Sequence, residues 1–281
     1  MSIERVAIIG GGRVGLSLAR ALARSGRAVA VLGRHAAALP APLEPATAIW
    51  EPAIAAAKLV LIAVPDDAIG EVAVALSRGG AVGVSHVVLH TSGLHDRSAL
   101  AALYSSHAGL GSWHPLQTFA RPRGEPEALA GSPVVIEGDQ HALASGRELA
   151  ALLHLRPVVE IAADQKALYH AAAVMASNYL VVLSEMATRL TRTAAGEPVP
   201  DTFFLPLMRR VLTHLGDGPG AALTGPVARG DAGTVARHLA ALPEPEREVY
   251  LALARETLQL AKRSGLNAKA AAAIEEVLRR P

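Results

Sequence analysis

Lys166, His170 and Ser177, with Ala173 between the last two, are spaced for one face of one helix. Steps of four, seven and eleven residues from Lys166 all return to that face at 3.6 residues per turn. An ammonium and an imidazole among alanines leave room for a small molecule. Both can stabilise and protonate an oxyanion or amine as it forms. His114 stands before Pro115, which biases it towards extended backbone and fixes its loop. Thr91 and Ser92 follow a strand-like run ending at His90. Their hydroxyls suit a carboxamide or a substrate, and equally a turn into Gly93. Arg229 can grip a carboxylate or phosphate with two parallel bonds, with Thr224 in the same substrate-facing segment. That segment, Thr224–Asp231, also reads as an internal loop whose Asp231 caps the next helix.

Gly10-Gly11-Gly12-Arg13-Val14-Gly15 carries the spacing G-x-G-x-x-G directly after an apolar run and at the start of a helical one, the context that gives this pattern meaning. Gly10 permits a tight turn, Gly12 lets backbone approach a pyrophosphate, and Gly15 lets helix pack on strand. Arg13 and Val14 open the helix, whose N–H groups and dipole face the phosphates. The next strand ends in Gly33-Arg34-His35, where NAD-selective sites carry an acid for the ribose 2′-hydroxyl. The first acid beyond is Glu44, whereas Arg34 suits a 2′-phosphate, so the expected cofactor is NADP(H) rather than NAD.

The elements that must hold these residues alternate at first between β-branched runs and helical stretches, the mark of a parallel sheet with crossover helices. Strands are expected at Arg5–Ile9, Ala28–Leu32, Leu59–Val64, Ser85–His90, Pro133–Glu137 and Pro157–Ile161. Helices are expected at Val14–Ser25, Asp67–Ser77, Ser98–Ser105 and Gln140–Leu153. After Asp164 long Ala/Leu-rich periods take over. One helix is expected over Asp164–Ala194, and others over Thr202–Leu215, Asp231–Leu242, Glu244–Ser264 and Ala268–Arg279. The expected architecture is an α/β Rossmann domain over residues 1–162, doubly wound on a mainly parallel sheet. An all-α domain for substrate and dimerisation follows over residues 163–281.

Among 281 residues, 27 basic and 25 acidic side chains are well mixed, and no basic stripe suggests nucleic acid. The lack of cysteine excludes disulfides, a catalytic thiol and cysteine-held metal, and fits a reducing cytoplasm. Eleven histidines fall without metal-ligand spacing, so no metal is expected. The chain opens on a strand rather than a leader. Its longest apolar stretch, Ala171–Leu183, is interrupted by Ser177 and Asn178 and falls short of a membrane span, so no membrane is expected as partner.

The run Leu59–Val64 leading into Val64-Pro65-Asp66 resembles the β-hydroxyacid and 6-phosphogluconate dehydrogenase superfamily, in which this loop borders the nicotinamide ribose. Further segments sharpen the likeness: His90–Gly93, Gly111–Gln117, Leu223–Asp231, Lys166–Ala173 and Ser177-Asn178-Tyr179. Together they resemble the Rossmann-like proteins that carry domain of unknown function 2520, from Val6 to about Leu266.

The resemblance implies that Val64, Pro65, Thr91 and Ser92 line the cofactor. It also implies that the helix of Lys166 faces substrate, with an asparagine that commonly sits one turn later. Here His170 takes that place, and Asn178 lies farther along and off the face. His114 resembles the Gly-x-His-Pro element of prephenate dehydrogenases, a loop that faces substrate. The implied activity is NADP-dependent hydride transfer to or from a small carbonyl or imine, with a 2-keto acid such as ketopantoate favoured by analogy. Lys166, His170 and His114 all stand as candidates for the acid. Alternatives are a prephenate-dehydrogenase-like oxidation and an NADP-binding sensor or docking protein without turnover. Helical domains of the superfamily pair, which implies a homodimer.

Overall fold

In a computed structural model, residues 3–33, 43–46, 50–122 and 124–279 are described, the strand at 43–46 by its backbone only. Arg34 and His35 lie outside the described residues. The chain forms two compact units, Met1–Asn178 and Tyr179–Pro281. The first therefore extends past the change of sequence pattern at Ala162.

The first unit is built on eight strands: β1 (Arg5–Ile9), β2 (Ala28–Leu32), β3 (Leu43–Ala46), β4 (Leu59–Ile62), β5 (Val87–His90), β6 (Gly109–Pro115), β7 (Val134–Gly138) and β8 (Val158–Glu160). Their order is β3-β2-β1-β4-β5-β6-β7-β8. All neighbours run parallel except β6 and β7, which are antiparallel. Strand residues alternate between the sheet's two faces. Val6, Ile8, Leu59 and Leu61 join the core under α1 (Arg13–Arg24) and α4 (Gln140–Leu152). Ala7, Ile9, Val60 and Ile62 join the core under α2 (Glu51–Ala56), α3 (Ile69–Gly79) and the 3₁₀ segment Arg97–Ser106.

Two strands and one helix escape the sequence pattern. In β6, Gly109, Gly111, Ser112 and His114 replace the usual β-branched residues. The glycines are there for close approach: a Cβ on Gly111 would lie 2.3 Å from the Glu137 carbonyl oxygen on β7. Strand β3, Leu-Glu-Pro-Ala, tolerates Pro45 because it lies at the sheet edge. The six-residue α2 is too short to show a period.

The expected helix over Asp164–Ala194 is two helices, α5 (Lys166–Ala176) and α6 (Asn178–Ala195). Ser177, at φ −120° and ψ −72°, breaks it, and its Oγ bonds back to the Ala173 carbonyl at 2.7 Å. By length and apolarity the helical stretch Ala163–Ala195 is enough to cross a membrane. It exceeds the run read from sequence because α5 and α6 follow one another directly across the break at Ser177 and carry few charges.

The second unit continues with α7 (Leu205–Leu215), the short α8 (Pro219–Ala222) and α9 (Pro226–Arg229), α10 (Ala232–Ala241), α11 (Glu244–Arg263) and α12 (Ala268–Arg279). Its core gathers Val235, Leu239, Leu258, Ile274 and Leu278. Asp231 caps α10, accepting from the Thr234 N–H at 3.0 Å.

A Cβ on Gly15 would lie 1.9 Å from the Gly10 carbonyl oxygen, whereas one on Gly12 would meet nothing. Gly15→Ala is therefore expected to cost about 3 kcal/mol or more, since only backbone movement relieves the clash. Gly12→Ala should leave folding near wild type. Urea unfolding of the two variants checks this.

Candidate active site

The glycine turn is set by backbone contacts. Gly10 takes φ +115°, a region that favours glycine, and a Cβ there would lie 2.2 Å from the Ala63 carbonyl oxygen. Its N–H donates to the Leu32 carbonyl at 2.8 Å, tying the turn to the end of β2. Val64 borders the same turn, its Cγ1 3.2 Å from a Cβ built on Gly10. Gly12 is the N-cap of α1, with no side-chain cap and no acid in the first turn. Hypothetical Cβ atoms on Gly11 and Gly12 point into open space. An uncapped helix start behind two glycines fits a phosphate group, whose oxygens take the place of a capping side chain. Arg13 is exposed and Val14 half-buried at that opening.

The loop after β4 leads from this turn to a second cluster. Pro65 is exposed, and Asp66 accepts a hydrogen bond from Ser92 Oγ at 2.9 Å. Ser92 Oγ also accepts from the N–H groups of Leu94 and His95, at 3.1 and 3.0 Å. Its hydroxyl thus holds the turn after β5. Thr91 is half-buried, its N–H on the Ile62 carbonyl at 3.0 Å. His90 is fully buried; its Nδ1 accepts from Ser92 N–H, so its Nε2–H donates to the Asp96 carbonyl at 2.9 Å. Burial lowers its pKa to about 4.

Lys166 opens α5 and is 1% exposed. Its Nζ donates to the Ser92 carbonyl and to Ser112 Oγ, both at 2.9 Å. An ammonium has three N–H donors, so one remains for another acceptor. Burial lowers its pKa from 10.5 to about 8, opposed by the negative charges of Glu137, Asp66 and Asp96. The ammonium form still dominates at neutral pH.

His114, on β6 two residues beyond Ser112, shares a 2.6 Å hydrogen bond between its Nδ1 and the hydroxyl of Tyr169. Burial holds His114 neutral, with a pKa of about 4, and Lys166 and His170 reinforce this by charge repulsion. Burial also pushes the Tyr169 phenol up to about 12, so it keeps its proton. The rings of His114 and His170 stand 6.5 Å apart, centroid to centroid. Both crowd Gly93: a Cβ there would lie 2.8 Å from His170 Cδ2 and 3.1 Å from His114 Nε2. Side chains from β6 and α5 therefore converge on the turn after β5. The cluster offers an ammonium and a phenol as proton donors and a neutral imidazole to orient a partner.

Lys166, His170 and His114 come together as their types suggested. Ser177 and Asn178 do not join them. Eleven residues of helix carry Ser177 about 16 Å along the axis from Lys166, and its hydroxyl bonds to Ala173 and Asn178. Thr224 and Arg229 belong to the second unit, both exposed, Arg229 ending α9. Tyr169, Ser112 and Glu137 carried no role in the sequence reading. Tyr169 lies in the Lys166–Ala173 segment and Ser112 in Gly111–Gln117, but only their contacts give them a role. Among the described residues no group of three His, Cys, Asp or Glu side chains is placed to hold a metal.

His90 and His114 have pKa values of about 4 in the fold against 6.5 when free. The unfolded chain thus binds more protons between these values, and stability falls as pH drops through that window. Between about pH 7 and about pH 5 each histidine should cost the fold about 2 kcal/mol. Urea unfolding at both values is expected to show a loss that shrinks by about that amount in His114→Gln.

Residues 2–115 match the model of a Rossmann-like domain, and residues 132–257 match domain of unknown function 2520 (DUF2520). Comparison with curated proteins finds no match. Among solved structures, protein TM1727 of Thermotoga maritima is similar with TM-score 0.72 and 23% identity, over 92% of this chain and 98% of that one. A protein of Bacteroides fragilis named as a candidate NADP oxidoreductase gives 0.66 and 24%, over 91% and 98%. A reductive aminase of Aspergillus terreus, in complex with NADPH4, cyclohexanone and allyl amine, gives 0.59 and 19%, over 99% and 93%. At these identities the likeness is one of fold. The chain thus joins a Rossmann-like domain to a DUF2520 domain, the combination its motifs resemble.

Proposed function

We propose that this protein is an NADP-dependent oxidoreductase acting on a small carbonyl or imine substrate, with a 2-keto acid favoured by analogy. The observation that carries the reading is the buried ammonium of Lys166 beside His114, Tyr169 and His170, reached through Asp66 from an uncapped glycine turn. The nicotinamide cofactor, when bound, supplies or accepts the hydride. The backbone of Gly10–Gly15, with Arg13 and Val14 at the helix start, holds its pyrophosphate. Val64, Pro65 and Thr91 border the nicotinamide end, and Ser92 shapes that wall through its turn. Arg34 selects the 2′-phosphate.

Lys166 stabilises the negative charge that develops on the substrate oxygen or nitrogen and holds the proton the product needs at Nζ. The neutral ring of His114, fixed by the Tyr169 hydroxyl, orients the substrate, and His170 closes the same side. In the second unit Arg229 and Thr224 are suited by residue type to a carboxylate. This unit also exposes an apolar face on α6 and α7, including Val181, Val182, Leu207 and Leu212 at half exposure or more. A second copy of the chain covers that face in a homodimer.

Titration with NADPH and NADH, followed by energy transfer from Trp50 and Trp113, tests the cofactor assignment. NADPH is expected to bind in the micromolar range, more weakly in Arg34→Ala, and not in the folded Gly12→Ala variant. NADH is expected to bind more weakly than NADPH. Failure of both cofactors to bind would overturn the reading. Sedimentation should show a dimer at micromolar concentration, and a single monomeric species would refute the pairing.

A further inference from the structure

The sheet interior holds a polar row that the proposed reaction leaves unused. His90, Ser112 and Glu137 are cross-strand partners on β5, β6 and β7. Exposure is 0% for His90 and Ser112 and 4% for Glu137. A carboxylate that deep in a sheet is costly unless its oxygens are paired and a positive charge lies near. Glu137 Oε2 accepts from the Arg97 N–H at 2.9 Å and, at a longer 3.4 Å, from Ser112 Oγ. Ser112 Oγ in turn accepts from Lys166 Nζ at 2.9 Å. A single hydroxyl therefore stands between a buried anion and a buried cation. Among the described residues no carboxylate makes a direct ion pair with Lys166.

We propose that Glu137, acting through Ser112, is a positioning residue for Lys166. The carboxylate accepts the hydrogen bond that the Ser112 hydroxyl donates, so the Ser112 lone pairs face Nζ. Its negative charge holds the buried lysine in the ammonium form, with one N–H free for substrate. The proposal deepens the reading of Lys166 as proton donor and rests on it.

The charged and titratable groups coupled to Lys166 are Asp66 after β4, His90 on β5, Asp96 beyond β5, His114 on β6 and Glu137 on β7, with Tyr169 and His170 on α5 itself. Asp66 is exposed and bonded to Ser92, and Asp96 caps the 3₁₀ segment, accepting from the Ser98 N–H at 2.7 Å. Glu137 is the most buried of the three carboxylates, so water screens its charge least. Consistent with this, Glu137 heads the charges that oppose the fall in the Lys166 pKa. Burial raises the pKa of Glu137 itself.

The test needs no substrate. The chain has four lysines, Lys58, Lys166, Lys262 and Lys269, so labelling each Cε with ¹³C gives few resonances. The Lys166 signal is identified by its loss in Lys166→Met, and its titration is followed from neutral to alkaline pH. Glu137→Gln keeps an oxygen for the Arg97 N–H but removes the charge. It is expected to lower the Lys166 midpoint by about one pH unit or more. Ser112→Ala removes the bridge and keeps the charge, and should lower the midpoint less. An unchanged midpoint in folded Glu137→Gln overturns the proposal. If that variant does not fold, an unchanged midpoint in Ser112→Ala overturns it. Turnover of NADPH by the wild type is read separately, so failure of the oxidoreductase reading is distinguishable from failure of this coupling.

Discussion

The ammonium of Lys166 is held out of water between the carbonyl of Ser92 and the hydroxyl of Ser112, and the arrangement of this unit can be read from what that requires. Burying an unpaired ammonium costs several kcal/mol, so the interior must offer acceptors and negative charge at fixed positions. Ser92 offers a carbonyl because its own hydroxyl pins the turn after β5. Ser112 offers a hydroxyl because β6 runs parallel beside β5 in a register that sets Ser112 next to His90. Glu137 supplies charge because β7 turns back antiparallel and lands opposite Ser112. That one antiparallel pairing therefore has a chemical consequence as well as a topological one.

The same geometry sets the protonation of the neighbours. Burial first, and then the charge of Lys166 nearby, disfavour a charge on His114, so its imidazole stays neutral and can share a hydrogen with Tyr169. Gly93 lets both rings approach this turn, since a β-carbon there would lie 2.8 Å from His170 Cδ2 and 3.1 Å from His114 Nε2. On the other side of Asp66 the glycine turn meets its own strict limits. Gly10 and Gly15 allow close packing within the turn, and Gly11 and Gly12 leave room outside it. Packing rigidity and ligand space thus fall on different glycines of one short motif.

How much of this the sequence displays depends on how local each constraint is. The glycine turn was legible because strand, turn and helix start are contiguous. Lys166, His170 and His114 were legible as residue types, and the first two also by helical spacing. Ser177 shared that spacing but spends its hydroxyl on a helix break that the Ala-rich pattern did not reveal. Strand β6 was missed because its glycines and serine lack the β-branched signal; Ser112, although in the Gly111–Gln117 segment, and Glu137, although in an expected strand, gave no sign of their pairing. Their meaning arises only when residues 25 apart become register partners. Tyr169 was likewise silent until a residue 55 positions away met its hydroxyl. Arg34, on which the expectation of NADP rather than NAD rests, lies outside the described residues.

Lys166 either performs chemistry or only fills the interior. The most direct measurement is NADPH oxidation over a panel of small 2-keto acids and cyclic imines, by the wild type and by Lys166→Met, which keeps the side chain's length without its charge. Substrate-dependent oxidation is expected for the wild type, with a loss of about 10²- to 10⁴-fold in kcat/KM for the variant and NADPH affinity essentially unchanged. A folded Lys166→Met protein that turns over the same substrate at the wild-type rate would contradict a chemical role for Lys166.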